Sequence, residues 1–179
     1  MNNLLPTLYL VILFISLCVL LIFLFIQIIR KKETETELSQ LQKKNRSGSA
    51  TPSEQYSLGV IYLSKKLFDQ AIVQFSSALK NWDKLDTEGL ATLYNTIGFT
   101  YFESGQYDVS IYYYKEAINL NSNYIVALNN LAYSYEKKKM LQEAIRTYSK
   151  VLTLDENNKT AIEKLLSLQK RSKIRDDRI

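Results

Sequence analysis

Acid–base chemistry in this chain would have to run on carboxylates, because none of its 179 residues is histidine, the commonest general base and metal ligand. Two acidic pairs are close enough in sequence to be weighed, Glu103 with Asp108 and Asp155 with Glu156. Each lies where a helix ends or begins, and acidic residues there cap and solvate the backbone without doing chemistry. The one thiol, Cys18, stands in an apolar run and reads as a small buried hydrophobe; a single cysteine also excludes an intramolecular disulfide. No glycine-rich phosphate loop and no metal-ligand spacing occurs, so the sequence implies no cofactor and no metal. Lys137, Lys138 and Lys139 close a helix, where positive charge complements the macrodipole. In the run Tyr112, Tyr113 and Tyr114 the last falls on a core face, while the first two cover a neighbouring helix or stay partly exposed. The expected protein is therefore not an enzyme, and its elements have to be read for binding.

The first element is apolar. Leu8 to Ile26 contains no charged residue, and nineteen helical residues span about 29 Å at 1.5 Å each, close to the hydrocarbon thickness of a bilayer. A cleaved signal peptide would carry charge before the apolar run and small residues after it; here the first seven residues are uncharged and Arg30, Lys31 and Lys32 follow the run. That pattern predicts an uncleaved single span with its C-terminal side in the compartment of synthesis. The formal net charge is +5, and residues 30–46 hold six Lys/Arg against Glu33, Glu35 and Glu37, so +3 of it is juxtamembrane. Topology and anionic headgroups explain that excess, and no nucleic-acid footprint is left. Asn, Lys, Ile, Leu, Tyr and Phe are abundant while proline is found twice, a bias of AT-rich codons that hints at an organellar or AT-rich bacterial genome.

Beyond the span, residues 30–51 form a charged stalk ending in the Ser/Gly-rich stretch "NRSGSAT", which has the composition of a flexible joint. Thr51, Pro52 and Glu54 then spell a helix start, with an N-cap, a first-turn proline and a reciprocal capping carboxylate. Three segments align without gaps: "KKLFDQAIVQFSSALK" from Lys65, "SGQYDVSIYYYKEAIN" from Ser104 and "KKMLQEAIRTYSKVLT" from Lys138. Upstream of them, "YSLGVIYL", "YNTIGFTYF" and "LNNLAYSYE" align as first helices, with Gly59, Gly98 and Ala132 at equivalent places 39 and 34 residues apart. A glycine inside a helix costs about 1 kcal/mol relative to alanine, so Gly98 implies that something approaches the backbone closely there. Gly105 falls instead in a turn.

This pattern resembles the tetratricopeptide repeat family, whose unit is 34 residues folded as a helix pair. The small residues Gly59, Gly98 and Ala132, Ala71, Ser110 and Ala144, and Ala78 and Ala117 match sites where paired helices approach. Leu58, Ile97 and Leu131, Tyr62, Tyr101 and Tyr135, and Phe75, Tyr114 and Tyr148 match the large ones. The early tryptophan and the closing proline are absent, Val151 replaces a small residue, and about five residues are added within "NWDKLDTEGLA", lengthening a helix or a loop. The expected fold is all-α, with a single N-terminal transmembrane helix followed by a three-repeat α-solenoid and a C-terminal capping helix. Its parts are an anchor over 1–29, the stalk over 30–51, and repeats over 52–158, at about 52–85, 91–124 and 125–158. A capping helix over 159–173, with Ile162, Leu165, Leu166 and Leu168 facing inward, and a frayed tail over 174–179 complete the chain.

In this family the first helices line a concave groove that holds peptides or helices. The residues projected into it are Tyr56, Val60 and Leu63, then Asn95, Phe99 and Phe102, then Val126, Asn129, Tyr133 and Glu136. Relatives that grip acidic chaperone C-termini use Lys, Arg and Asn there; Tyr56, Val60 and Val126 stand in such places, so an apolar segment of a membrane-complex subunit fits better. Alternatively, some of these side chains simply pack between repeats. The whole arrangement resembles the plastid-encoded photosystem I assembly-related repeat proteins of red algae and their cyanobacterial counterparts. That resemblance implies a thylakoid anchor, a stromal repeat domain, and photosystem I subunits or assembly factors as partners of a non-catalytic scaffold. A receptor or accessory of a protein translocation pathway, and a regulatory subunit or unrecognised enzyme, are the other classes left open.

Overall fold

The computed structural model describes residues 4–176, with side chains from 7 to 170. Residues 1–3, part of the uncharged N-terminus, and 177–179, the end of the tail, lie outside the described residues. Among the described residues the order is α1 Leu4–Arg46, α2 Pro52–Ser64, α3 Phe68–Asn81, α4 Thr87–Glu103, α5 Tyr107–Leu120, α6 Ile125–Lys137, α7 Leu141–Leu154 and α8 Lys159–Asp176. The chain divides into two units, residues 1–49 and 50–179.

The first unit is α1, 43 residues in one helix. Its large apolar side chains from Leu8 to Ile29 are all exposed in the chain, and the helix is long and apolar enough to cross a membrane. Hydroxyls within it bond back to their own helix, Ser16 to the Leu13 carbonyl (2.8 Å), Thr34 to that of Arg30 and Thr36 to that of Lys32. The first part of the stretch read as a flexible joint closes the helix, and the division between the two units falls just after it. Gly48 takes φ +69°, its N–H donates to the Asn45 carbonyl and the Ser49 N–H donates to that of Lys44. This is the paired bonding of a Schellman turn, and the glycine supplies the left-handed residue.

The second unit is a stack of helix pairs, α2 with α3, α4 with α5 and α6 with α7, closed by α8. At its start the Thr51 hydroxyl accepts from the Glu54 N–H (3.2 Å) while the Glu54 carboxylate accepts from the Thr51 N–H (2.9 Å). The added residues between the first two pairs lengthen a helix: α4 has 17 residues where α2 and α6 have 13. Asp86 caps its extra turn by accepting from the Gly89 N–H (2.8 Å), and the Trp82 indole N–H donates to the same carboxylate (3.0 Å).

Each pair turns in the same way. Lys66, Gly105 and Lys139 occupy equivalent places with φ of 59°, 80° and 60°. The next N–H, of Leu67, Gln106 or Met140, reaches five residues back to Tyr62, Tyr101 or Tyr135. Three Schellman turns thus set the antiparallel pairs, and only the middle one uses the glycine that suits it.

Packing across each pair rests on a small residue beneath an aromatic ring sixteen positions on. A Cβ added to Gly59 would lie 2.5 Å from Phe75 Cε1, and one added to Gly98 would lie 2.8 Å from Tyr114 Cδ1. It is therefore a ring, not the partner backbone, that the missing Cβ admits. Ala132 and Tyr148, the third such pair, are both fully buried, as are Ala71, Ala78, Ala117, Ala144 and Val151. Ser110, also buried, donates to the Tyr107 carbonyl (2.9 Å) and lies 3.2 Å from the Ser134 hydroxyl, which donates to the Asn130 carbonyl.

The capping helix corrects one expectation. Ala161 and Leu168 are buried and Leu165 packs beside them, but Ile162 and Leu166 are exposed, Leu166 at 63%. Residues 161, 165 and 168 fall on one face at helical spacing, and 162 with 166 lie about 100° further round.

Candidate functional site

The first helices of the pairs are tied side by side by polar and aromatic contacts that begin with the residues projected into the groove. The Tyr56 hydroxyl of α2 lies 3.2 Å from the Thr96 hydroxyl of α4. Asn130 Nδ2 of α6 donates to Asn95 Oδ1 of α4 (3.0 Å). The rings of Phe102 and Tyr133 meet at 5.1 Å, again joining α4 to α6. At the far end Lys164 of α8 sits over the Tyr133 ring at 4.5 Å and pairs with the Glu136 carboxylate at 3.1 Å. Lys137 lies over the same ring, and the Tyr133 hydroxyl beside it raises its pKa above the usual lysine value.

These ties divide the ten groove residues by task. Tyr56 rests on Phe75 and Trp82, Leu63 packs on the core of the first pair, and Phe102 is wedged between Tyr107 and Tyr133. Asn95, Tyr133 and Glu136 are half-buried in the contacts just given. Val60, Phe99 and Val126 are exposed, at 38%, 39% and 53%. Asn129 carries a buried amide oxygen with no hydrogen-bond partner among the described residues. An acceptor of that kind is costly to leave unmade and is met when a donor arrives.

Thr96, Asn130 and Lys164 belong to the same face although the sequence pattern did not select them. Thr96 and Asn130 each follow a groove position by one residue, a signal that was present in the repeat alignment. Lys164 sits in the capping helix, outside the repeat pattern, and nothing in the sequence marked it.

Of the four carboxylates weighed for catalysis, Asp108 and Asp155 are engaged in structural contacts. Asp108 pairs with Lys138 at 2.8 Å, and Glu103 is exposed. Asp155 accepts from the Asn158 amide, whose own oxygen caps α8 through the Ala161 N–H (3.1 Å). Among the described residues no group of three or more His, Cys, Asp or Glu is placed to hold a metal ion. Tyr114 is buried, Tyr113 is stacked on Tyr101 (5.4 Å, 8° between planes) and Tyr112 is exposed. Burial raises the Tyr113 phenol pKa, with Tyr101, Tyr112 and Tyr94 adding to the effect.

Stacked helix pairs whose first helices lie side by side define a tetratricopeptide-repeat, protein-binding scaffold. Family models described as tetratricopeptide repeat match residues 55–123 and 125–158. Within that class the chain belongs to the ycf37 family of plastids: it is 45% identical to ycf37 of Guillardia theta over the full length of both chains. It is also 34% identical to the chloroplastic tetratricopeptide repeat domain-containing protein PYG7 of Arabidopsis thaliana, over 83% of this chain and 49% of that protein. Among solved structures, MamA superposes with a TM-score of 0.69 over 82% of each chain at 23% identity. The first repeat domain of Spaghetti (RPAP3), bound to the HSP90 peptide SRMEEVD, gives 0.61 over 68% of this chain and 92% of that one at 21% identity. At such identities the two structures speak for the fold alone.

Proposed function

We propose that the protein is a membrane-anchored scaffold that assists the assembly or stability of photosystem I at the thylakoid, holding an apolar segment of a subunit or assembly intermediate against α2, α4 and α6. The observation that carries the binding face is the exposure of Val60, Phe99 and Val126 on those three helices, over a framework already tied by its own polar contacts. Three isolated apolar side chains on a surface mean little, but three on the same face of adjacent repeats suit an amphipathic helix or loop. The unpartnered Asn129 oxygen supplies an acceptor for such a segment. The only cations in the described contacts of this face, Lys137 and Lys164, lie at one end against Tyr133, which disfavours an acidic chaperone tail as the ligand.

Anchoring rests on the exposed apolar length of α1, and the stromal orientation of the repeats rests on Arg30, Lys31 and Lys32 just beyond it. The photosystem I role rests on the resemblance in architecture and on the chloroplastic relative. The test is co-purification of the C-terminally tagged chain from membranes in mild detergent, beside Phe99→Glu with Val126→Glu. Photosystem I subunits present with the native chain and lost with the variant support both role and face. Translocation components in their place replace the role, and subunits retained by the variant replace the face.

A further inference from the structure

On the opposite side of the stack, between the second helices α5 and α7, a pocket of about 420 Å³ opens above α6. Its origin is visible in the repeat alignment. In the second pair Tyr113 of α5 stacks on Tyr101 and lies 6.2 Å from Tyr94, so rings fill the space between helices. Thirty-four residues on, Tyr113 becomes Thr147 and Tyr94 becomes Leu128. Two rings are replaced by a small residue and a leucine, and the pocket is the space left over. The Thr147 hydroxyl is turned back onto the Glu143 carbonyl (2.7 Å), and Leu128 and Leu131, both buried, underlie the pocket.

Its rim is basic. Lys115 projects from α5 and Arg146 and Lys150 from α7, against one lining carboxylate, Glu116. None of the three cations is ion-paired with a described residue, and the counterparts of Arg146 and Lys150 one repeat earlier are Tyr112 and Glu116. Charge and volume therefore change together at one place in the stack. The exposed ring of Tyr112 stands beside the cations.

We propose that this pocket is a second protein-docking site, taking an acidic segment of a partner that inserts one large apolar side chain over Leu128 and Leu131 while its carboxylates meet Lys115, Arg146 and Lys150. The volume lies within the range of formed ligand sites, roughly 300–1,000 Å³. A concave pocket with an apolar floor suits an inserted side chain, whereas a bilayer surface would be met by protruding apolar groups. The site shares no residue with the α2, α4 and α6 face and stands independently of the function proposed for it.

The test uses the full chain in nanodiscs of zwitterionic lipid, with empty nanodiscs as baseline. The probe is a fluorescein-labelled peptide with one Trp between Glu-Glu pairs, beside its Trp→Ala and Glu→Lys counterparts. The Trp/Glu peptide should bind at least about ten-fold more tightly than either counterpart, with affinity falling as salt rises. Thr147→Trp, which fills the pocket without touching its charges, and Arg146→Glu with Lys150→Glu should each weaken it by about ten-fold or more. Both variants should keep the native thermal transition, and Phe99→Glu should leave the affinity unchanged. Equal binding of all three peptides, no binding of any, or affinity unmoved in the folded pocket variants overturns the assignment. So does loss of binding in Phe99→Glu, which would place the peptide on the other face. Titration by phosphatidylglycerol vesicles through Arg146 and Lys150 without peptide binding overturns it in favour of a lipid surface.

Discussion

Gly98 offers the most direct check on how the repeats pack. A Cβ at this position would sit 2.8 Å from Tyr114 Cδ1 and 2.9 Å from Cε1. Carbon pairs are comfortable at about 3.5–4.0 Å, so the ring or the helix must move by roughly 0.7 Å or more. Tyr114 is 1% exposed and has nowhere to swing. Overpacking of this kind costs about 1–3 kcal/mol. For Gly98→Ala the gain in helix propensity, about 1 kcal/mol, offsets part of that, leaving a loss of about 0–2 kcal/mol. Gly98→Leu drives more atoms into the same ring, and its expected loss is about 1–3 kcal/mol, or a Tm lowered by roughly 3–12 °C for a unit of this size. Ala132, with Tyr148 sixteen residues on, shows that a methyl is accepted at the equivalent place of the third pair. Ala132→Gly should therefore destabilise, by about 1 kcal/mol.

The assay is thermal and urea unfolding of the soluble fragment 47–179, followed by far-ultraviolet dichroism. A double-mutant cycle assigns the contact: on a Tyr114→Leu background the penalty of Gly98→Ala should vanish or reverse, since the ring that opposes it is gone. An unchanged or raised Tm for Gly98→Leu refutes the close contact. A penalty for Gly98→Ala that persists undiminished beside Tyr114→Leu refutes the ring as its cause.

Tyr148 has a fully buried side chain whose hydroxyl finds no hydrogen-bond partner among the described residues, so Tyr148→Phe should stabilise the fragment by about 1 kcal/mol in urea titration. The phenols of Tyr114 and Tyr148 are both held above their ordinary pKa by burial, with the charges of Glu103 and Glu136 adding to it. Below about pH 10 both states keep these protons and the stability is full; as pH rises further only the unfolded chain releases them, and stability falls by about 1.4 kcal/mol per unit for each. The alkaline unfolding midpoint should accordingly rise in Tyr148→Phe. Lys139 holds φ +60° in a Schellman turn, so Lys139→Gly should raise stability by about 0.5–1 kcal/mol, measured by the same titration. Thr51→Ala removes the first half of a reciprocal cap and should cost about 1 kcal/mol, with fraying of α2 visible as faster amide exchange near Glu54.

What the sequence made legible is what short-range chemistry determines. The capping box at Thr51, Pro52 and Glu54 needs three neighbouring residues and was readable from them. The place of Gly98 was readable from the 34-residue period, but its partner was not, because a period tells which face is crowded and not which atoms crowd it. Ile162 and Leu166 show the same limit: five apolar residues within eight positions offer two overlapping faces, and only contact with α7 decides that 161, 165 and 168 turn inward. The stretch around Gly48 was read by composition as a joint because glycine and serine serve flexible links and helix caps alike. Its hydrogen bonds show that it also caps α1.

The exposed part of the face proposed to bind was hidden for a related reason. Its ties join residues 31 to 40 positions apart, Tyr56 with Thr96, Asn95 with Asn130 and Phe102 with Tyr133, and they turn four of the ten groove residues into scaffolding. What is left free on that face is decided by these pairings and not by the repeat positions themselves. The pocket over Leu128 is harder still to read, since it is made by what Thr147 lacks. Repeats place a residue at every equivalent position, so a departure from the repeat alters one surface while the stack goes on. Tyr113 to Thr147 is such a departure: the helices on either side keep their turns and their buried small residues, and only the space above α6 and the charge around it are new. In a fold whose neighbours share it at near 20% identity, specificity has to come from changes of this kind. They are the places where recognition can vary without disturbing the contacts that hold the stack together.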